Sequence, residues 1–297
     1  MRTLFVFGGN RLIISSASGP SATSSPVPVR HARYISRHPR YLGGMPALPT
    51  LNVADPIAVF LDFDGTLVNI AERPDLVHIP ATLLTTMQAV HDRLDGALAV
   101  ISGRAIADLD ALLAPLQLPM AGIHGIEHRD QSGQIRSECS SIIPEAVRRH
   151  VIQLAESDPG LILEDKGSSL ALHYRQSPAR ESMIRAELQT IYADLDQDFF
   201  LQDGKMVIEM RPNGVNKGTA MEKFLANPPF TGRRPVFIGD DITDEDAFRV
   251  VNRLKGYSVK VGPKDPSSAA RYELKDVNAV RNWLDPLVHP ELIGDSQ

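Results

Sequence analysis

Two aspartates spaced two residues apart, Asp62 and Asp64, follow the apolar run Ile57–Leu61 and precede Gly65 and Thr66. Residues i and i+2 of an extended segment face the same way, so both carboxylates can reach one reacting centre. A second group of acids, Asp240, Asp241 and Asp244, follows another apolar run, Pro235–Gly239. Carboxylates gathered in one place repel one another unless a cation sits among them. A few rigid oxygen ligands suit Mg²⁺, which keeps several of its waters. Two further stretches could hold an anion. Lys217 lies in Asn213-Gly-Val-Asn-Lys-Gly218 at a helix start, and helix N-termini bind phosphate. Ser102 and Gly103, between a strand and a helix, offer a hydroxyl and backbone N–H groups to the same oxygens. Each piece alone is ordinary, since Asp-Gly and Ser-Gly pairs mostly turn the chain. Their order is specific: Asp-x-Asp-Gly-Thr, then Ser-Gly-Arg, then Lys-Gly, then Gly-Asp-Asp, each at the junction of two elements.

Those junctions require a particular scaffold. Ile57–Leu61 between Pro56 and a Gly-Thr turn reads as a buried strand. Leu83, Leu84, Met87, Val90 and Leu94 then follow helical periodicity from Pro80. Ala97–Ile101 is a strand, Ile106–Leu113 a helix and Pro119–Ile123 a third strand, so the alternation implies a parallel sheet with right-handed crossovers. Open sheets of this kind place ligands outside the carboxyl ends of their strands, where the acids fall. The pattern changes at Ile126. A hairpin turning at Asp130–Gly133, a helix over Pro144–Glu156, strands at Leu161–Glu164 and Ser168–Tyr174, and a helix over Glu181–Leu195 follow. Strands at Phe199–Gln202 and Lys205–Met210 around a turn at Asp203-Gly204 complete a small α+β insert that reads as a lid. The first pattern resumes with a helix over Lys217–Leu225, the strand Pro235–Gly239, a helix near Glu245–Val250, the strand Tyr257–Val261 and a helix over Val277–Leu284. The expected class is α/β: a doubly wound parallel sheet with an inserted α+β cap. Its segments are an Arg/Ser-rich extension at 1–50, core at 51–125, cap at 126–210 and core again at 211–297.

Composition narrows the function. The chain has 297 residues, 43% hydrophobic and 23% charged, with a net charge of −5. Six arginines and no acid or lysine fall before residue 55, leaving 25 basic against 36 acidic side chains, a balance of −11, in the rest. An acidic body argues against nucleic-acid binding, whose affinity comes from Lys and Arg on phosphates. No apolar run reaches the ~18 residues that span a bilayer. The single cysteine, Cys139, excludes an internal disulfide, fits a reducing, cytoplasmic compartment and has no basic activator beside it. The N-terminal extension is too polar to bury itself, which predicts disorder or a start nearer Met45; its Arg- and Ser-rich composition is also that of a transit peptide.

The ordered motifs resemble those of the haloacid dehalogenase superfamily of phosphohydrolases over about residues 55–285. The insert resembles the cap of the trehalose-6-phosphate phosphatase family, on Gly122-Ile-His-Gly-Ile-Glu127, Leu163-Glu-Asp-Lys166, Leu172-His-Tyr-Arg175, Glu209-Met-Arg-Pro212, Val215-Asn-Lys-Gly218 and Gly239-Asp-Asp-Ile-Thr-Asp-Glu245. The resemblance implies that Asp62 attacks phosphorus to form an aspartyl-phosphate and that Asp64 is acid and then base. It implies Mg²⁺ held by Asp62, Asp240 and the Asp64 backbone carbonyl, with Asp241 and Asp244 at its rim. Ser102, Gly103 and Lys217 would grip the phosphoryl oxygens, and Glu164, Lys166, Arg175 and Glu209 would bind sugar hydroxyls. His124 and His173 are expected to be structural. The implied substrate is a small sugar phosphate, and a functional pairing with a trehalose-6-phosphate synthase follows from it. Sucrose phosphate or mannosyl phosphates, a phosphomutase, and a silent phosphosugar-binding domain are the alternatives.

Overall fold

The computed structural model describes residues 48–49, 51, 55–71, 76–138, 141–193, 195, 198–263 and 265–288. The N-terminal extension up to residue 47, the loop residues Glu72–Asp75 and Cys139 lie outside the described residues. Leu48 and Leu51 pack against the main core, so the described end of the extension is in contact with it.

In chain order the first part comprises β1 (Ile57–Leu61), α1 (Ala81–Arg93), β2 (Leu98–Ile101), α2 (Ile106–Leu113), β3 (Met120–Gly122), β4 (Glu127–Arg129) and β5 (Ile135–Ser137). The insert adds α3 (Glu145–Glu156), β6 (Ile162–Asp165), β7 (Leu170–His173), α4 (Glu181–Tyr192), β8 (Phe199–Gly204) and β9 (Val207–Pro212). The chain then returns with α5 (Lys217–Leu225), β10 (Arg234–Gly239), α6 (Glu245–Arg253), β11 (Tyr257–Val261), β12 (Tyr272–Leu274) and α7 (Val277–Val288). The large sheet has the order β12-β11-β10-β1-β2-β3-β4-β5 and the small one β6-β7-β9-β8.

The all-apolar character of β1 follows from its place. Every one of its residues is buried, and it runs parallel to β10 on one side and β2 on the other. A central strand of a parallel sheet has helices over both faces, so it must be apolar on both. The carboxyl ends of β1, β2 and β10 lie side by side, which brings residues from three distant segments to one edge. Helix α1 buries Leu83, Met87 and Val90, the expected single face, and begins after Pro80. Helix α5 starts where the Asn216 side chain accepts from Thr219 N at 2.9 Å while the Thr219 hydroxyl accepts from Asn216 N at 3.0 Å. This reciprocal cap fixes the first helical residue, which is Lys217.

The small sheet is antiparallel throughout and has its own apolar core, formed by Leu170, Leu172, Ile208, Met210 and Phe199 with Val151, Ile184 and Leu188 from α3 and α4. With period-2 alternation its opposite face carries Glu164, Ala171, Glu209 and Gln202. The register sets Glu164 opposite Ala171, Ala171 opposite Glu209, and Glu209 opposite Gln202, so these form one row across all four strands.

Three details differ from the sequence reading. The hairpin expected in the insert hydrogen-bonds to β3 and extends the large sheet, because β4 pairs antiparallel with β3. The turn placed at Asp203-Gly204 lies instead at Lys205-Met206, since Gly204 pairs with Val207 and Met206 takes the positive φ of 63°. Strand β12 was not foreseen: three half-buried residues give no periodic signal. Among the described residues, no helix is long and apolar enough to cross a membrane.

Phe60 is fully buried with its ring 5.3 Å from that of Phe230 and 6.0 Å from that of Phe224. Phe60→Ala is expected to lower unfolding free energy by about 3–5 kcal/mol, the usual cost of such a truncation, as measured by urea denaturation.

Candidate active site

At the carboxyl edge of the large sheet, the Lys217 ammonium is buried between two carboxylates. Its Nζ donates to Asp62 Oδ1 and to Asp244 Oδ1, each at 2.7 Å. Asp62 also accepts from the Thr66 hydroxyl at 3.3 Å, and Asp244 Oδ2 accepts from Asp241 N at 2.8 Å. Burial raises Asp62 well above the usual carboxylate range; Lys217 opposes this, and Asp244 and Asp240 reinforce it. Burial likewise raises Asp244 against Lys217, while burial alone would discharge Lys217 and the two carboxylates instead hold it charged. One lysine therefore does not balance the acids of this edge.

Asp240 is buried beside them. Its Oδ2 accepts from Lys205, its backbone carbonyl accepts from Lys260, and its Oδ1 is buried without a partner. Carboxylate oxygens of Asp62, Asp240 and Asp244 lie within 4.8 Å of one another. A set of hard oxygens from three buried carboxylates, one of those oxygens unsatisfied, fits a divalent cation such as Mg²⁺. The side chains of Asp64 and Asp241 are not in this group. Asp64 faces Arg104, whose Nε and Nη2 donate to its two oxygens at 2.7 and 2.8 Å. Asp241 contributes its backbone N–H to hold Asp244.

Ser102 is buried at the end of β2, its hydroxyl accepting from Arg104 N at 3.2 Å. Beside it, a Cβ on Gly103 would stand 2.6 Å from His124 Nε2, so the imidazole leaves room only for glycine. His124 itself holds φ of 57° in the turn Ile123–Gly125. Its Nε2 lies 3.1 Å from Glu209 Oε2. A carboxylate only accepts, so Nε2 carries the hydrogen and the partnerless Nδ1 is the bare nitrogen.

Above this floor stands the polar row of the small sheet. Burial would raise Glu209, but Lys166 and His124 hold it well below the usual range. Lys166 Nζ is 3.3 Å from Glu209 Oε1 and 3.6 Å from Glu164 Oε2, and Ser169 donates to Glu209 at 2.8 Å. His173 Nε2 lies 3.2 Å from Glu164. Arg175 donates to the Lys205 carbonyl at 3.2 Å, bracing the β8–β9 tip. Floor and row line one cavity of about 220 Å³ that takes in Asp62, Asp64, Ser102, Gly103, Lys217 and Asp240 below, and Glu164, Lys166, Arg175 and Glu209 above. Asp241 lines it as well, whereas Asp244 lies behind Lys217.

The sequence reading missed Arg104, Gln202 and Lys205, which also line the cavity. Arg104 is the third residue of the Ser-Gly-Arg motif, the one signal available. Gln202 falls in the cap row only once the register is known. Lys205 reaches the core only because the turn is shifted.

An α/β sheet with acids and a buried lysine at its carboxyl edge, under an inserted cap, is the architecture of haloacid dehalogenase-type hydrolases. A solved haloacid dehalogenase-like hydrolase from Bacteroides thetaiotaomicron shares the fold at a TM-score of 0.57 and 16% identity, over 77% of this chain and 98% of that one. The structure of the Candida albicans trehalose-6-phosphate phosphatase C-terminal domain gives 0.73 at 22% identity, over 83% and 99%. The family model described as trehalose-phosphatase matches residues 60–278. A trehalose-6-phosphate phosphatase of Escherichia coli is 42% identical over 244 residues, 81% of this chain and 90% of its own length. A probable trehalose-phosphate phosphatase of Sinorhizobium fredii is 40% identical over 233 residues, 78% and 88%. The chain belongs to the trehalose-phosphatase family, whose members are phosphoric monoester hydrolases.

Burial, with Arg211 nearby, pushes His124 down to about 3, against the pull of Glu209. Its unfolded value lies near 6.5, so below that pH the unfolded chain takes up a proton that the folded one refuses, and stability is lost as pH falls from there towards 3. Between about pH 7.5 and about pH 5.5 this amounts to about 1 kcal/mol. Urea titrations at both pH values should show that loss shrinking by this amount in His124→Gln.

Proposed function

We propose that the protein hydrolyses trehalose 6-phosphate to trehalose and inorganic phosphate, with Mg²⁺ and through an aspartyl-phosphate. What carries the reading is a single cavity with two unlike walls: acids, Ser102 and Lys217 on one side, and the Glu164–Lys166–Glu209 cluster on the other.

Phosphate monoesters hydrolyse so slowly in water that splitting the reaction into two displacements is advantageous. Asp62 Oδ forms a bond to phosphorus as the bond from phosphorus to the sugar oxygen breaks, and Asp64 gives that oxygen a proton. Water then attacks the acyl phosphate, with Asp64 receiving its proton, and phosphate leaves as the Asp62 carboxylate is restored. Lys217, fixed at the first turn of α5, supplies positive charge to the phosphoryl oxygens and keeps Asp62 in place. Ser102 and the Gly103 backbone offer neutral donors to the same oxygens. Arg104 holds Asp64 at the cavity wall through both of its oxygens, a pairing that has to open before Asp64 can carry the proton it gives to the sugar oxygen. Asp62, Asp240 and the Asp64 carbonyl, with Asp244 behind, would hold Mg²⁺, which when bound would supply the positive charge that lets a carboxylate approach a phosphate dianion. Asp241 steadies this set through Asp244 rather than through its own carboxylate.

The other wall reads sugar. Lys166 already joins the two glutamates, by a hydrogen bond to Glu209 and an ion pair with Glu164, and the three are preorganised to exchange those contacts for hydroxyls. Arg175 supports the tip beside them and Gln202 extends the row. A substrate with a second hexose fills both walls, and it must be supplied by a glucosyl transfer onto a sugar phosphate, the reaction of a trehalose-6-phosphate synthase.

Asp62→Asn should lower the rate of phosphate release on the order of 10⁴-fold while leaving circular dichroism unchanged; activity within a few-fold of wild type would refute the nucleophile. In a panel of trehalose, sucrose and mannosyl phosphates, kcat/KM for trehalose 6-phosphate should exceed the others by at least about 100-fold, and chelation of Mg²⁺ should abolish turnover. Comparable values across the panel would reject the substrate, and activity in chelator would reject the metal.

A further inference from the structure

Lys205, at the tip of the β8–β9 hairpin, takes no part in the proposed reaction, yet it touches the acids. Lys205 and Met206 close the hairpin, and Met206 sits at φ 63°, a left-handed conformation that costs energy for a residue with a side chain. With that turn, Lys205 leaves its own sheet and donates to Asp240 Oδ2 at 2.5 Å, a partner 35 residues further along the chain and in the other sheet's edge. Arg175 holds the tip from behind through the Lys205 carbonyl. The lysine is half exposed whereas the carboxylate is buried, so the bond is made where screening by water is weak. Asp240 Oδ1, the other arm of the same carboxylate, is the buried atom without a partner.

We propose that Lys205 and a divalent cation contend for Asp240, so that the hairpin is a latch between cap and core which metal binding loosens. This rests on the divalent-cation reading given above. A lysine ammonium and a divalent ion on the two arms of one carboxylate stand only a few ångströms apart, and in a buried site their repulsion is strong. The ammonium is tied to the cap and the ion is not, so any ion that settles on Asp240 weakens a bond that holds the cap to the core. By reciprocity, each closure of that latch weakens the hold on the ion by the same factor. The bond from His124 to Glu209 also joins cap and core, but Asp240 is not one of its partners. The cap would thus be released most readily when the ion is seated, which is the condition in which substrate must enter and product must leave.

The test is Mg²⁺ titration calorimetry on the full chain as wild type, Lys205→Met and Lys205→Arg, with circular dichroism to verify folding. It is paired with amide hydrogen exchange of residues 199–212 with and without Mg²⁺. Lys205→Met should bind Mg²⁺ about tenfold more tightly than wild type, and Lys205→Arg should resemble wild type. Mg²⁺ should speed hairpin exchange in wild type and leave it unchanged in Lys205→Met. Equal Mg²⁺ affinity in wild type and folded Lys205→Met, or hairpin exchange in wild type that Mg²⁺ does not speed, overturns the latch alone. A wild-type chain that binds no Mg²⁺ overturns the divalent-cation reading and the latch with it.

Discussion

A lysine ammonium taken out of water is tolerated only where opposite charges meet it, and Lys217 is such a case. Its partners come from 155 residues upstream and 27 residues downstream, so no single segment can satisfy it. The end of β1, the first turn of α5 and the turn after β10 must all be in place together. Removal of one partner would leave an uncompensated charge in the interior, a much larger penalty than the loss of one bond. The surroundings are shaped to allow this crowding. A Cβ on Gly65, whose φ is 82°, would lie 2.2 Å from Asp240 Oδ2, and one on Gly239 would lie 2.3 Å from Asp244 Cγ. Both positions are glycine because carboxylates occupy the space.

The two sheets divide the chemistry by their geometry. The parallel sheet aligns strand ends, which concentrates reactive groups at an edge. The antiparallel sheet aligns cross-strand neighbours, which spreads polar groups over a face, with Ala171 as the small residue that leaves room between Glu164 and Glu209. An edge suits a single reacting phosphorus; a face suits a substrate with many hydroxyls. Glu127 shows how the same motif can be structural as well: its carboxylate accepts from Ile106 N at 2.7 Å and fixes the start of α2 instead of entering the cavity.

How much of this was legible in the sequence depended on range. The strand ends, the capped start of α5 and the apolar faces of α1 and α2 are local, and a run of neighbouring residues reports them. The gathering of Asp62, Lys217 and Asp240 followed from the order of elements in a parallel sheet. What stayed hidden are pairs made across the chain. Arg104 meets Asp64 from 40 residues away, and His124 meets Glu209 from 85. Nothing in their neighbourhoods announces either bond. Lys205 was obscured by a local signal that pointed elsewhere: Asp203-Gly204 has the composition of a turn, yet both residues lie in β8 because the ladder to β9 continues to Gly204–Val207. The hairpin β4–β5 was placed with the insert, although it pairs with β3, for a related reason. All three residues of β5 are exposed, so its sequence carries no mark of the face or sheet it joins.

The position of β10 has a consequence for synthesis. It pairs with β1 along the full length of that strand, though it follows it by some 170 residues and by the entire insert. A growing chain that has just emitted Pro212 possesses Asp62, Ser102 and a cap with its own apolar core, while one flank of β1 is still bare. It has neither Lys217 nor Asp240. Lys217 and Asp240, which meet Asp62 in the finished site, are therefore made after the insert, and the site closes only once the chain has returned to the large sheet.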